Sequence, residues 1–249
     1  FGESGESNSN NVGVGANALL VVTSGGSNVA IGATSMVTAT TAAENVAIGF
    51  ESMGDVDTGS GANVAVGYYA MRNVDEGTGD GDADYNVAIG YDALKGGDFG
   101  SGNDGLDLKH NIAIGFQALD ATAANSQTGA IAIGKDALGA LTSGAANTAV
   151  GYQALMTTTD GAYNTAVGYG AADVLPSGGT GNTVVGYDSL GAGNNSATDH
   201  NTCIGFESGN VIQAGHSNTL VGSKTDPSAH GGINQTVIRF EAVGVANDS

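Results

Sequence analysis

The chain has 249 residues, 43 of them glycine, with no tryptophan and 6% aromatics, which leaves too little side-chain bulk for a thick globular core. With 25 acidic against 6 basic residues its formal charge is −19, a balance that repels nucleic-acid phosphates and anionic lipid heads and argues against both as partners. The single cysteine, Cys203, excludes an internal disulfide and a multi-cysteine zinc site. The longest apolar run, Ala18 to Val22, falls far short of the ~18 residues of a membrane span, so no direct membrane insertion is expected.

From the N-terminus onward one nine-residue phrase returns: Asn-Val/Thr-Ala-Val/Ile-Gly-Tyr/Phe-x-Ala/Ser-Leu. Its first position falls at Asn11, Asn28, Asn45, Asn63, Asn86, Asn111, Ala130, Asn147, Asn164, Asn182, Asn201, Asn218 and Gln235. These thirteen copies lie 17 to 25 residues apart and make one repeat domain of residues 1–249. Position five is Gly15, Gly32, Gly49, Gly67, Gly90, Gly115, Gly134, Gly151, Gly168, Gly186, Gly205 and Gly222, with Arg239 the exception.

Positions two to four alternate branched, small, branched, which reads as a short strand. The glycine at position five ends it. The following Tyr-x-Ala-Leu alternates again and predicts a second short strand. The rest of each unit is Gly, Ser, Thr, Asn and Asp, which make turns. One such coil cannot bury its own apolar face, whereas coils stacked in parallel at ~4.8 Å can. The expected fold is all-β: a parallel β-roll or β-solenoid of about 13 short coils, a rod of roughly 60 Å. Each residue then sits on its equivalent, and the asparagines are expected to form a ladder, amide on amide. The Ala column at position three is expected to form a flat surface that packs against a second copy around an axis. The alternative puts Ala inside the roll and Val/Ile against the neighbour.

Two insertions lengthen adjacent units, over 72–85 and 95–110, and are expected to leave the roll side by side. Asp80, Asp82 and Asp84 in the first have the alternate spacing of a calcium loop. Tyr85 at the sixth place and the missing twelfth-place Glu break that signature, so a solvated acidic loop competes with a calcium site. No other cofactor is implied. His110 and His200 each precede a position-one Asn, as turn residues or as metal ligands on a symmetry axis. Cys203 falls in the small third column and reads as buried. The aromatic column (Phe50, Tyr68, Tyr91, Phe116, Tyr152, Tyr169, Tyr187, Phe206) reads as a packed ladder, with a carbohydrate-binding stripe as the alternative. There is no nucleophile elbow, P-loop or His-Glu-x-x-His, so no catalytic residues and no enzyme activity are expected.

"NVAIG" and "NTAVG" resemble the head repeats of YadA-like trimeric autotransporter adhesins, and the longer "NTAVGYQAL" resembles repeats of phage tail fibres. The resemblance covers essentially all thirteen units. For the adhesin heads it implies a left-handed roll and a homotrimer. For both groups it implies an extracellular structural fibre, on a virion or a bacterial cell surface, that binds a host glycan or protein. The longer phrase favours a phage tail-fibre shaft or head. An adhesin head is the alternative, and a glycan-processing tailspike or calcium-dependent binding module stands behind both. Asn247-Asp248-Ser249 looks like the opening of another repeat, so the chain is expected to be a piece of a longer fibre.

Overall fold

A computed structural model describes residues 10–56, 59–74, 83–96, 107–122, 126–175, 177–191 and 198–239. Every regular element in it is a β-strand. In the first half these are β1 Val12–Val14, β2 Val29–Ile31, β3 Val46–Ile48, β4 Val64–Val66, β5 Ala83–Asp84, β6 Val87–Ile89, β7 Leu108–Lys109 and β8 Ile112–Ile114. They continue as β9 Gln127–Thr128, β10 Ile131–Ile133, β11 Thr148–Val150, β12 Thr165–Val167, β13 Thr183–Val185, β14 Thr202–Ile204, β15 Thr219–Val221 and β16 Thr236–Ile238. No helix among the described residues is long and apolar enough to cross a membrane.

Thirteen of these strands, each at positions two to four of its repeat, form one parallel sheet. The register is equivalent on equivalent throughout, as in Ala132 on Ala149 and Ala149 on Ala166. The chain is therefore a β-solenoid that moves one strand along the sheet per turn, as the repeat predicts. β5, β7 and β9 add a three-stranded parallel sheet where the two longer insertions and the following loop return to the body. The described ends of the insertions are thus side by side; residues 75–82 and 97–106, with Asp80 and Asp82, lie outside the described residues.

The Tyr-x-Ala-Leu segment is not a second strand. It is a turn with φ near +50° at positions seven and nine, as at Gln153 (56°) and Leu155 (52°). The residue before each Asn, such as Ala146 (58°), makes a third left-handed corner. Each such residue costs on the order of 1 kcal/mol alone. The stack offsets this, because corner amides also bond between coils: Gln153 N–H donates to Lys135 O at 2.9 Å and Leu155 N–H to Ala171 O at 3.0 Å. Positions eight and nine both point inward; Ala154 and Leu155 are both fully buried. Two adjacent inward side chains cannot belong to one strand.

The Ala column at position three lies inside the coil. Ala30, Ala47, Ala65, Ala88, Ala113, Ala132, Ala149 and Ala166 are fully buried within the single chain, so they form no surface for a second copy. In most coils this small residue shares the interior with a buried Leu or Met at position nine, while Val184 and Leu220 take the same buried place in later coils. Volume is traded across the coil: where position three grows to Cys203, position nine shrinks to Gly209, whose added Cβ would lie 2.5 Å from Cys203 Sγ. Cys203 is buried, and that burial pushes its thiol up to about 12, which keeps it unreactive.

Candidate functional site

With position three inside, positions two and four point out. In thirteen strands those positions hold only Val, Ile and Thr. Position four is half-exposed or exposed along the sheet, from Val14 (55%) through Ile89 (38%) to Ile238 (71%). On a chain of net charge −19, this face bears no ionisable side chain. An uncharged apolar strip as long as the sheet is the sort of surface that marks association. Thr148, Thr165, Thr183, Thr202, Thr219 and Thr236 make the second half of position two more polar than Val12 to Ile131.

The aromatic column borders this strip. Phe50, Tyr68, Tyr91 and Phe116 stack with centroids 5.1, 5.2 and 5.3 Å apart. Tyr152, Tyr169, Tyr187 and Phe206 repeat the arrangement at 4.8, 5.4 and 5.2 Å. Lys135 stands between the two files, its ammonium 5.7 Å from the Phe116 centroid and 5.3 Å from that of Tyr152. A sugar stacks on the face of a ring. Inside each file those faces are taken by neighbouring rings and only the edges reach solvent, so the geometry favours packing over a carbohydrate stripe.

Next to the strip in each coil, at position one, runs an asparagine ladder. Each regular step has the same bonds. Asn182 N–H donates to Asn164 Oδ1 (2.9 Å), Asn182 Nδ2 donates to the same oxygen (3.1 Å), and Asn182 Nδ2 also donates to Thr198 O in the next coil (2.8 Å). The pattern runs from Asn11 through Asn28, Asn45, Asn63 and Asn86 to Asn111, and again from Asn147 through Asn164, Asn182 and Asn201 to Asn218. A buried carboxamide thereby uses both its N–H bonds and its oxygen. A carboxamide carries two donors and an acceptor on one planar group, which lets each Asn bond the coil on either side.

The other predicted residues fall apart from the strip. Asp84 accepts a bond from Gly61 N–H at 2.8 Å. Asp107 pairs with Lys109 at 2.9 Å. Among the described residues no three His, Cys, Asp or Glu side chains are arranged to hold a metal ion. His110 and His200 occupy the same left-handed corner of their coils (φ 60° and 54°), and His110 stacks on Tyr85 with centroids 5.1 Å apart.

A feature missed in the sequence is a file of carboxylates at one corner. Glu51, Asp92, Asp136, Asp188 and Glu207 take position seven, and Asp120 and Asp173 position ten. Their spread over several repeats hid the file, because position seven also holds Gln, Tyr and Gly. Burial pushes the Asp120 carboxyl up to about 6, and the charges of Asp92 and Asp136 add to the shift. Asp173 and Asp188 are also raised, first by burial and then by Asp188 and Glu207 respectively. A carboxyl with a raised folded pKa destabilises the fold above that pKa, and the penalty disappears as pH falls below its ordinary value of 3.8. Asp120→Asn is therefore expected to stabilise the protein on the order of 1–2 kcal/mol at about pH 7, after allowance for partial exposure, and to give no gain at about pH 3. Thermal melts of the two proteins at both pH values check this.

Family models, curated proteins and solved structures provide no match to this chain.

Proposed function

We propose that the chain is a structural segment of an adhesive fibre, built as a homotrimer whose uncharged faces pack around a common axis. The observation that carries this reading is the strip at positions two and four. It runs the length of the thirteen-stranded sheet, bears no charge on a strongly acidic chain, and leaves its Val and Ile side chains half in water. A closed assembly of identical chains removes that apolar area from solvent and keeps the carboxylates outside. In this reading the segment is a passive rod that displays the two insertions, performs no reaction, and works outside the cell. The repeat wording, resembling tail fibres in "NTAVGYQAL", makes a phage tail fibre that attaches to a host surface the first choice and a bacterial adhesin head the second.

Sedimentation tests the assembly. The chain is expected to sediment as three 24.3-kDa subunits. Ile89→Asp with Ile133→Asp should reduce that mass, because buried carboxylates would face each other across the axis. A 24.3-kDa wild-type species, or a trimer indifferent to both substitutions, would remove the proposal. Peptide mass spectrometry of the native polypeptide separates the two sources. Co-purifying capsid and tail proteins support the virion fibre; a heptad stalk and C-terminal membrane β-barrel on the same polypeptide would make it an adhesin.

A further inference from the structure

The polar ladder has one irregular step. At Ala130 the repeat has a methyl group where its neighbours have a carboxamide. Asn111 Oδ1 accepts the Ala130 N–H at 2.9 Å, but the second bond that this oxygen takes elsewhere, from a side-chain amide, has no donor at residue 130. One coil on, the Asn147 N–H has no Oδ1 to donate to, while its Nδ2 keeps the regular bond to Gly161 O at 2.6 Å and also donates to its own Gly144 O at 3.0 Å. An acceptor and a donor of the ladder therefore face each other across Ala130, which is itself fully buried.

A third group reaches the same place. Gln127 lies three residues before Ala130, in a column that is otherwise mostly small: Gly25, Ala42, Ser60, Gly144, Gly161, Gly179 and Gly215. The direction of its side chain follows from the glycines. A Cβ added at Gly161 or Gly215 would lie 3.1 Å from Nδ2 of the ladder Asn in its own coil, Asn164 or Asn218. At those coils the column therefore runs beside its own ladder position, which in this coil is Ala130. Gln127 is fully buried, and neither Oε1 nor Nε2 has a partner among the described residues. The large-for-small exchange fills space but leaves the hydrogen bonds of the ladder open.

We propose that the Ala130 step is a hydration site, in which a buried water bridges Asn111 Oδ1, the Asn147 N–H and the Gln127 carboxamide. A buried water needs two to four polar partners, and these groups supply both donors and acceptors. The site is also a joint. In this same coil Lys135 interrupts the aromatic files, and after it the outward position-two column changes from Ile131 to Thr148. The solenoid keeps its backbone bonds across the joint, such as Ile131 N–H to Asn147 O at 2.8 Å, and Asn111 still reaches the Ala130 N–H and Gln127 O, but the bonds that a carboxamide at residue 130 would make to both neighbouring coils are missing. Nearest-neighbour stacks open first at their weakest interface.

Amide NMR on the full chain tests this. The Asn147 N–H is expected to show cross-relaxation with a long-lived water and to exchange at least about tenfold faster than the Asn164 N–H. The double variant Gln127→Gly with Ala130→Asn rebuilds the Gly144/Asn147 pairing of the following coil. It should abolish the water contact and bring the exchange of Asn147 down to that of Asn164. A direct contact between the Gln127 amide and the Asn147 N–H without water, or equal protection of Asn147 and Asn164 in the unaltered chain, would overturn the proposal whether or not the double variant folds.

Discussion

Gly151→Ala is expected to destabilise the solenoid by about 3–5 kcal/mol or to stop it folding. Two causes act together. Gly151 has φ of 142°, a backbone conformation that residues with a Cβ rarely adopt. A Cβ there would also meet the carbonyl of Gly168 in the next coil far inside van der Waals contact. Gly168 cannot retreat, since its N–H is held by Val150 O at 2.8 Å and Gly186 lies behind it in the same way. Gly129 is the control. It also has positive φ (69°), but an added Cβ would meet nothing within 4 Å. Gly129→Ala should cost only about 1–2 kcal/mol. Denaturant unfolding of both variants checks the difference; similar losses would mean that backbone conformation, not close stacking, fixes the column.

Asn164→Ala is the second large effect. The substitution removes two donated bonds, to Asn147 Oδ1 (3.1 Å) and Gly179 O (2.8 Å). It also removes the acceptor for the Asn182 N–H (2.9 Å) and Nδ2 (3.1 Å). All of these groups are buried, so the stranded partners cannot turn to water without opening the coil. A loss of about 3–5 kcal/mol follows from four bonds at the usual net value plus the stranded groups. Asn164→Asp should be worse at neutral pH, because it places a charge in the interior and removes both donors. Calorimetry of the two variants tests the ladder; a loss below about 1 kcal/mol in Asn164→Ala would show the bonds to be incidental.

The strand and its glycine were legible in the sequence because each rests on one local rule. β-branched residues at positions two and four announce a strand, and a glycine recurring at one place announces close stacking. The asparagine ladder was legible for the same reason, since identical buried amides on identical coils have each other as partners. The second strand was misread. Alternation in Tyr-x-Ala-Leu looks like period two, yet the adjacent Ala154 and Leu155 both point inward, which only a double bend allows. The Ala column was placed on the surface because small residues invite close approach. It lies inside, where a small residue at position three packs with a buried Leu or Met at position nine in most coils. That packing depends on the left-handed corners, and residues as varied as Glu51, Tyr69, Gln117 and Lys224 share one of them. No residue preference marks such corners; the bonds between coils impose them. The carboxylate file was hidden in the same way, in a column whose members vary.

A correctly placed Ala column makes the association argument stronger. Val and Ile, not Ala, face outward, and they bury more apolar area per residue when a neighbour arrives. The weakest stretch of that face is the second half, where Thr replaces Val and Ile at position two.

Small-angle X-ray scattering from the purified chain tests the central claim most directly. A rod of at least roughly 60 Å along the coil stack is expected, from thirteen strands at the parallel spacing, with the mass of three 24.3-kDa chains in its cross-section. A compact, near-spherical particle of one 24.3-kDa chain would contradict both the stack and the assembly drawn from its outward face.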